Sequence, residues 1–365
     1  MSSVARRAGL TAVLITSLST PVWVGTASAA VLACGATVSA NTVLDADVGP
    51  CSNNGLVVTA DNVTLDLNGH RVFGRAGSGD GVGILLVGRT GVTVQNGSVR
   101  DFDGGVVIDQ GRANTVRHVD AFDNITTGVG ANFRAGHGNG IGIVSSKDNL
   151  IFGNNTVNNG PRAGIGLYSA RDPFDALGTR LISSGNRVDS NSVVGNISST
   201  TANLVDTDNI GIRIEPLTSR NFFLNNRVVG NGLDGITLFA GASENVVRGN
   251  VVDRNGHIRV AVRRGNGIGL QSLPSAGGAN RNLIEYNLVT RNADNGIVAR
   301  GPRGTQPGAR FNTIRFNTAI GNVALPTLPS IFGPAYDLLD TNPDCDDNVW
   351  RSNRYRTAFP PCAGA

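Results

Sequence analysis

Asparagine recurs in this chain at steps of five residues, a spacing that few folds can use. Six segments carry three asparagines in this register, starting at Asn149, Asn186, Asn221, Asn245, Asn282 and Asn312, with shorter versions at Asn114 and Asn348. Apolar residues hold fixed offsets between them. Two places after the first asparagine stand Ile151, Val188, Phe223, Val247, Ile284 and Ile314. Seven places after it stand Thr156, Val193, Val228, Val252, Val289 and Ala319. Five residues are too few for a helix and its connection, but they suit a short strand with one inward side chain and then a bend. Asparagine is expected to take the left-handed conformation at that bend, and stacked coils would align its amides into ladders.

Each unit adds a third strand with a Gly-[Ile/Val] start, at Gly81, Gly105, Gly140, Gly164, Gly211, Gly235, Gly267 and Gly296. The shortest unit, Asn221 to Asn245, spans 24 residues and is the bare coil of a solenoid. Longer units must carry their excess as insertions. These fall at 125–138, 197–208 and 257–265 before the glycine strand, and at 172–185, 271–281 and 301–310 after it. Side chains alternate along a strand, so Gly83, Val107, Gly142, Gly166, Arg213, Thr237, Gly269 and Val298 should form one outward column. Leu85, Asp109, Val144, Tyr168, Glu215, Phe239, Gln271 and Arg300 should lie in a second. Glycines in the first column suggest a shallow floor between two rows of loops, a shape that suits a ligand.

The ends of the chain read differently. Residues 1–29 have Arg6 and Arg7, an apolar run, and then Ala27-Ser28-Ala29, the pattern of a signal peptide cut before Ala30. The expected domain is residues 30–365, with an N-terminal cap over 30–55, coils over 56–322 and a C-terminal cap over 323–365. The four cysteines fall into two local pairs, Cys34 with Cys51 and Cys345 with Cys362. A long solenoid holds its ends too far apart for any other pairing, so two terminal disulfides are expected, as in an oxidising compartment. The formal charge of +4 falls to +2 without Arg6 and Arg7, too little to argue for a nucleic-acid partner. No later run is long enough to span a bilayer. The reading is therefore of a secreted, extracellular monomer with no nucleic-acid or membrane partner.

The asparagine units resemble the parallel β-helix repeats of the pectate-lyase-like superfamily of bacterial secreted proteins. The segment LVVTADNVTLDLNGHRVFG from Leu56 resembles a first coil of that kind, and NPDCDDNVWRSNRYRTAFPPC resembles such an ending. The resemblance implies an all-β, single-stranded right-handed parallel β-helix with three strands per coil. It also implies a cleft on one sheet and a lyase or hydrolase acting on an extended, acidic polysaccharide. A non-catalytic carbohydrate-binding or cell-surface β-helix protein is the alternative, because this fold hosts both.

Residues follow from that reading. Tyr168, Arg213 and Glu215 are the candidate catalytic cluster, offering a base, a cation that stabilises developing charge, and a carboxylate. Asp234 is a candidate second carboxylate. Arg112, Lys147 and Arg171 share one offset after their glycines and form a candidate basic column for uronic-acid carboxylates. His137, in Gly136-His137-Gly138, resembles the Gly-His-Gly of polygalacturonase-type hydrolases, although their Asn-Thr-Asp and Arg-Ile-Lys are missing. Asp172-Pro173-Phe174-Asp175 resembles the Asp-Pro-His-Asp of alginate epimerases, with Phe174 where the histidine should stand. No motif assigns a cofactor. Calcium is possible in principle, and Asp344, Asp346 and Asp347 read as turn-capping residues.

Overall fold

The computed structural model describes residues 28–75, 81–126, 136, 138–171, 180–197, 209–256, 265–273, 277–302, 304–323 and 334–365. Within them the chain is a stack of coils whose strands pair in parallel from one turn to the next. The inward residues fall in register as their offsets require: Ile151 beside Val188, then Phe223, Val247, Ile284 and Ile314. All six are fully buried. The stack ends on Trp350, which continues this column and donates its indole N–H to Asp340. Two ladders of asparagine-bearing strands merge into one sheet because Thr93–Arg100 and Thr115–Phe122 each run through both without a break. The glycine strands form a second sheet, with twelve strands among the described residues.

The asparagines do form ladders, with one correction to their expected conformation. Gly153, Ser190, Asn225 and Gly249, each just before a ladder asparagine, have φ of 62°, 57°, 54° and 69°. The bend is therefore taken by the preceding residue. The ladder asparagine keeps its N–H directed along the stack, where it has a partner. Asn226 shows the pattern. Its Oδ1 accepts from the backbone N–H and Nδ2 of Asn191, each at 3.0 Å. Its own N–H and Nδ2 reach Asn250 Oδ1 at 2.8 and 3.0 Å, and Nδ2 also reaches the Val188 carbonyl at 2.9 Å. Such sharing meets the bonding needs of a buried amide without water. The third ladder ends on Asp337, which accepts from Asn322 twice at 3.0 Å.

These ladders explain the glycine strand. A Cβ on Gly211 would clash with Val228 and come within 2.7 Å of the Asn231 amide, and Gly267 stands in the same relation to Val289 and Asn292. Only glycine leaves room for the third asparagine ladder at this corner. Both terminal disulfides are formed, Cys34–Cys51 and Cys345–Cys362. The strand Ser28–Ala30, which pairs with Thr42–Leu44, straddles the expected cleavage point. Among the described residues no helix is long and apolar enough to cross a membrane.

Candidate functional site

The outer face of the glycine sheet is built by register. Leu85 pairs with Val107, then come Gly142, Gly166, Arg213, Thr237, Gly269 and Val298. This corrects the first member of the column. Gly83, not Gly81, is the equivalent of Gly105, because Val99 and Phe102 leave no room for a Cβ at Gly83. The outward column shifts accordingly, from Gly83 to Leu85.

The glycine floor is not open. A Cβ on Gly142 would lie 2.8 Å from Gly136 Cα, and one on Gly166 would lie 2.6 Å from the Tyr168 ring and from Asn139 Oδ1. These glycines admit close cover onto the sheet. Val82, Val107, Val144 and Tyr168 form a small buried cluster there, outside the main core. The expected insertions at 125–138, 172–185, 197–208, 257–265, 271–281 and 301–310 lie partly outside the described residues, as does His137. Two begin as hairpins, with Ala170–Arg171 antiparallel to Arg180–Leu181 and Ser272–Leu273 antiparallel to Gly277–Gly278.

Tyr168, expected at the surface, is buried. Its hydroxyl donates to Asn139 Oδ1 at 2.8 Å, and burial pushes its pKa above the usual phenol value. At neutral pH it is a bound phenol and not a ready base. Arg213 and Glu215 do meet, through Arg213 Nε and Glu215 Oε1. The Arg213 guanidinium lies over the Phe239 ring, 4.4 Å from its centre. Arg162 comes within 3.9 Å of the same carboxylate and lies over the Tyr168 ring at 5.7 Å. The side chains of Arg162, Arg213 and Glu215 are 20%, 12% and 18% exposed, so the cluster is reachable but mostly withdrawn. Sequence reasoning missed Arg162, which stands just before the strand Ala163–Tyr168 and belongs to no repeat.

Asp234 has a role the sequence did not suggest. Asn266 donates to its Oδ1 from N at 2.7 Å and from Nδ2 at 3.0 Å, and Thr237 donates to its Oδ2 at 2.8 Å. Asn295 donates in turn to Asn266 at 3.0 Å, so a fourth, shorter ladder starts from this carboxylate. Asp234 is buried, and burial raises its pKa despite these bonds. Its oxygens are occupied, which corrects its placement as an open second carboxylate.

The basic column is also shorter than expected. Bridges link Arg112 to Lys147 and Lys147 to Ser184, so Ser184 replaces Arg171 in this column. The reason is the inserted hairpin, which carries Arg171 away to pair with Arg180. Arg112 is exposed and lies 3.3 Å from Asp148. Among the described residues no group of three or more His, Cys, Asp or Glu side chains gathers to hold a metal ion. Asp344, Asp346 and Asp347 stay apart in a left-handed turn, with Asp346 3.5 Å from Arg310.

Comparison with known proteins bears on the fold. Residues 195–319 match a family model described as "Right handed beta helix region". A tailspike protein, Dettilon gp208, is similar in structure with a TM-score of 0.57 at 17% identity, over 87% of this chain and 54% of that one. The chain thus spans about half the length of that tailspike. A point mutant of the periplasmic alginate epimerase AlgG also gives a TM-score of 0.57, at 14% identity over 90% of this chain and 74% of the other. The chain is a right-handed parallel β-helix. At these identities the similarity of the β-helix to both proteins concerns the fold alone. No curated protein matches the sequence.

Proposed function

We propose that this β-helix is a secreted polysaccharide-active protein, and that an extended acidic polysaccharide lies along Glu215, Phe239, Gln271 and Arg300 on consecutive coils, past the buried Tyr168. The observation that carries the reading is the Arg213 guanidinium, held over the Phe239 ring and paired with Glu215 at the partly exposed centre of this column. A planar guanidinium fixed in this way matches a sugar carboxylate, and the adjoining ring offers an apolar face. The fold shared with an alginate epimerase fits this reading. The apolar leader and the terminal disulfides support export.

The cluster suits recognition more than turnover. A hydrolase needs two open carboxylates, and Asp234 has its oxygens engaged. A lyase needs a base, and Tyr168 is buried and bonded to Asn139. Catalysis by Glu215 with Arg213 is the second reading, favoured by their direct contact. The test is to incubate the purified chain with alginate, polygalacturonate and a neutral glucan, following binding, reducing ends and absorbance of unsaturated products. Binding to the acidic polymers without products supports recognition, and products support the second reading. Neither binding nor products with any acidic polymer rules out both.

A further inference from the structure

The opposite side of the molecule carries a feature that no repeat requires. At the bend before the second ladder asparagine, most coils place a small or polar residue in the left-handed conformation, among them Gly153, Ser190, Asn225 and Gly249. The two coils before the last place Tyr286 and Phe316 there, each with φ of 55°, and the last returns to Ser352 at 53°. Bulky residues are rarely held in this conformation, and such strain gathers where function keeps it. Tyr286 is 57% exposed and Phe316 41%. Core strands flank the bend on both sides, with Ile284 and Val289 fully buried, so the two rings form a convex ridge. Phe222 and Val349 on the strands before it, and Val251 and Leu288 on the strands after it, are also exposed.

Charge accompanies the apolar surface. The asparagine-ladder segments 186–196, 220–231, 243–255, 280–292, 310–322 and 346–354 hold eleven arginines against six carboxylates. That net of +5 exceeds the +4 of the entire chain. Arg248 and Arg315 close over Glu285, whose side chain is 1% exposed, so the carboxylate lies beneath and the guanidiniums outside.

We propose that this corner adsorbs to an anionic lipid surface, the ridge entering between headgroups while the arginines pair with phosphates. Exposed aromatic and aliphatic side chains interleaved with cations are what an anionic interface selects. Three other occupants fit less well. A sugar stacks on the face of a ring, but the Tyr286 and Phe316 rings face each other, 5.1 Å apart and 15° from parallel. A protein interface clears charge from its centre, whereas the column Arg248, Glu285, Arg315 and Arg351 runs directly beside the ridge. A second copy would set arginines against arginines. The sequence gives no sign of a membrane partner because these side chains meet only once the coils have stacked.

The test uses the mature chain and co-sedimentation with vesicles of phosphatidylcholine, with and without phosphatidylglycerol. Tyr286→Asn/Phe316→Asn is the informative variant, because asparagine accepts the left-handed bend and the thermal midpoint should not fall. The parent should bind the anionic vesicles and only weakly the neutral ones, and the variant should bind about tenfold less tightly. Arg213→Gln, on the other side, should bind them as the parent does, which separates this result from the polysaccharide reading. Absence of parent binding to anionic vesicles, or equal binding by the variant, overturns the proposal. So does a parent dimer, seen by sedimentation velocity, that the variant dissociates, since the ridge would then join two copies.

Discussion

The asparagine-lined interior and the outer face of the glycine sheet are made by the same coils but obey different rules. Inside, each coil repeats the bonds of the last, so Asn191, Asn226 and Asn250 have nearly the same partners at nearly the same distances. Outside, consecutive coils place Tyr168, Glu215, Phe239 and Gln271 in one column, and each meets a different environment. Repetition makes the interior a structural device whose members are interchangeable. Variation on the outer face is what the proposed polysaccharide site draws on.

Breaking the interior should have the largest effect. Asn226→Ala deletes a side-chain amide that receives two bonds and gives two, and leaves buried partners on Asn191 and Val188. Unsatisfied buried groups cost about 1–3 kcal/mol each, so the loss should reach about 3 kcal/mol or more, read from denaturant unfolding. A change of under about 1 kcal/mol would show that the ladder is not under load. Val188→Ala and Val247→Ala, both fully buried, should cost about 1–3 kcal/mol each. Midpoints that stay put would place these side chains outside.

Two carboxylates sharpen the comparison through pH. Burial pushes the Asp253 pKa up, but bonds from Arg291, Thr290 and Arg254 outweigh it and hold the group below its usual value. Its charged form stabilises the fold above the unfolded pKa, and that stability fades as pH falls through the lower folded value. Asp253→Asn should therefore destabilise at pH 7 and do little at pH 2. Asp234 is the reverse case, raised by burial ahead of its hydrogen bonds. The folded state loses stability there as pH rises through the elevated pKa, so Asp234→Asn should be neutral or stabilising at pH 7. That gain should vanish in acid. Asparagine at position 234 also continues the ladder of Asn266 and Asn295. Matching pH profiles for the two variants would contradict these assignments.

What the sequence makes legible follows the same divide. The five-residue step, the inward apolar offsets and the local cysteine pairs could be read directly, because each coil reports the same constraint again. The left-handed residue was placed one position late, since asparagine suits that conformation but the ladder needs its N–H elsewhere. The shift from Gly83 to Leu85 and the departure of Arg171 from its column both arise where a strand lengthens or a hairpin intervenes, and an offset cannot register either event. Burial of Tyr168 depends on Asn139, Val107 and Val144, which come from other coils. Arg162 leaves no signal in a repeat that it does not share.

The central claim is that the outer face, and not the interior, carries recognition, through Arg213. The direct measurement is calorimetric titration of parent and Arg213→Gln with polygalacturonate in low salt, well below the melting midpoint of both. Glutamine keeps a donor toward Glu215 while removing the cation. Affinity should fall about tenfold or more with the loss of a charge-assisted carboxylate contact, and the dependence on salt should weaken with it. Equal affinity and equal salt dependence in parent and variant would contradict the account and move the binding site off this column.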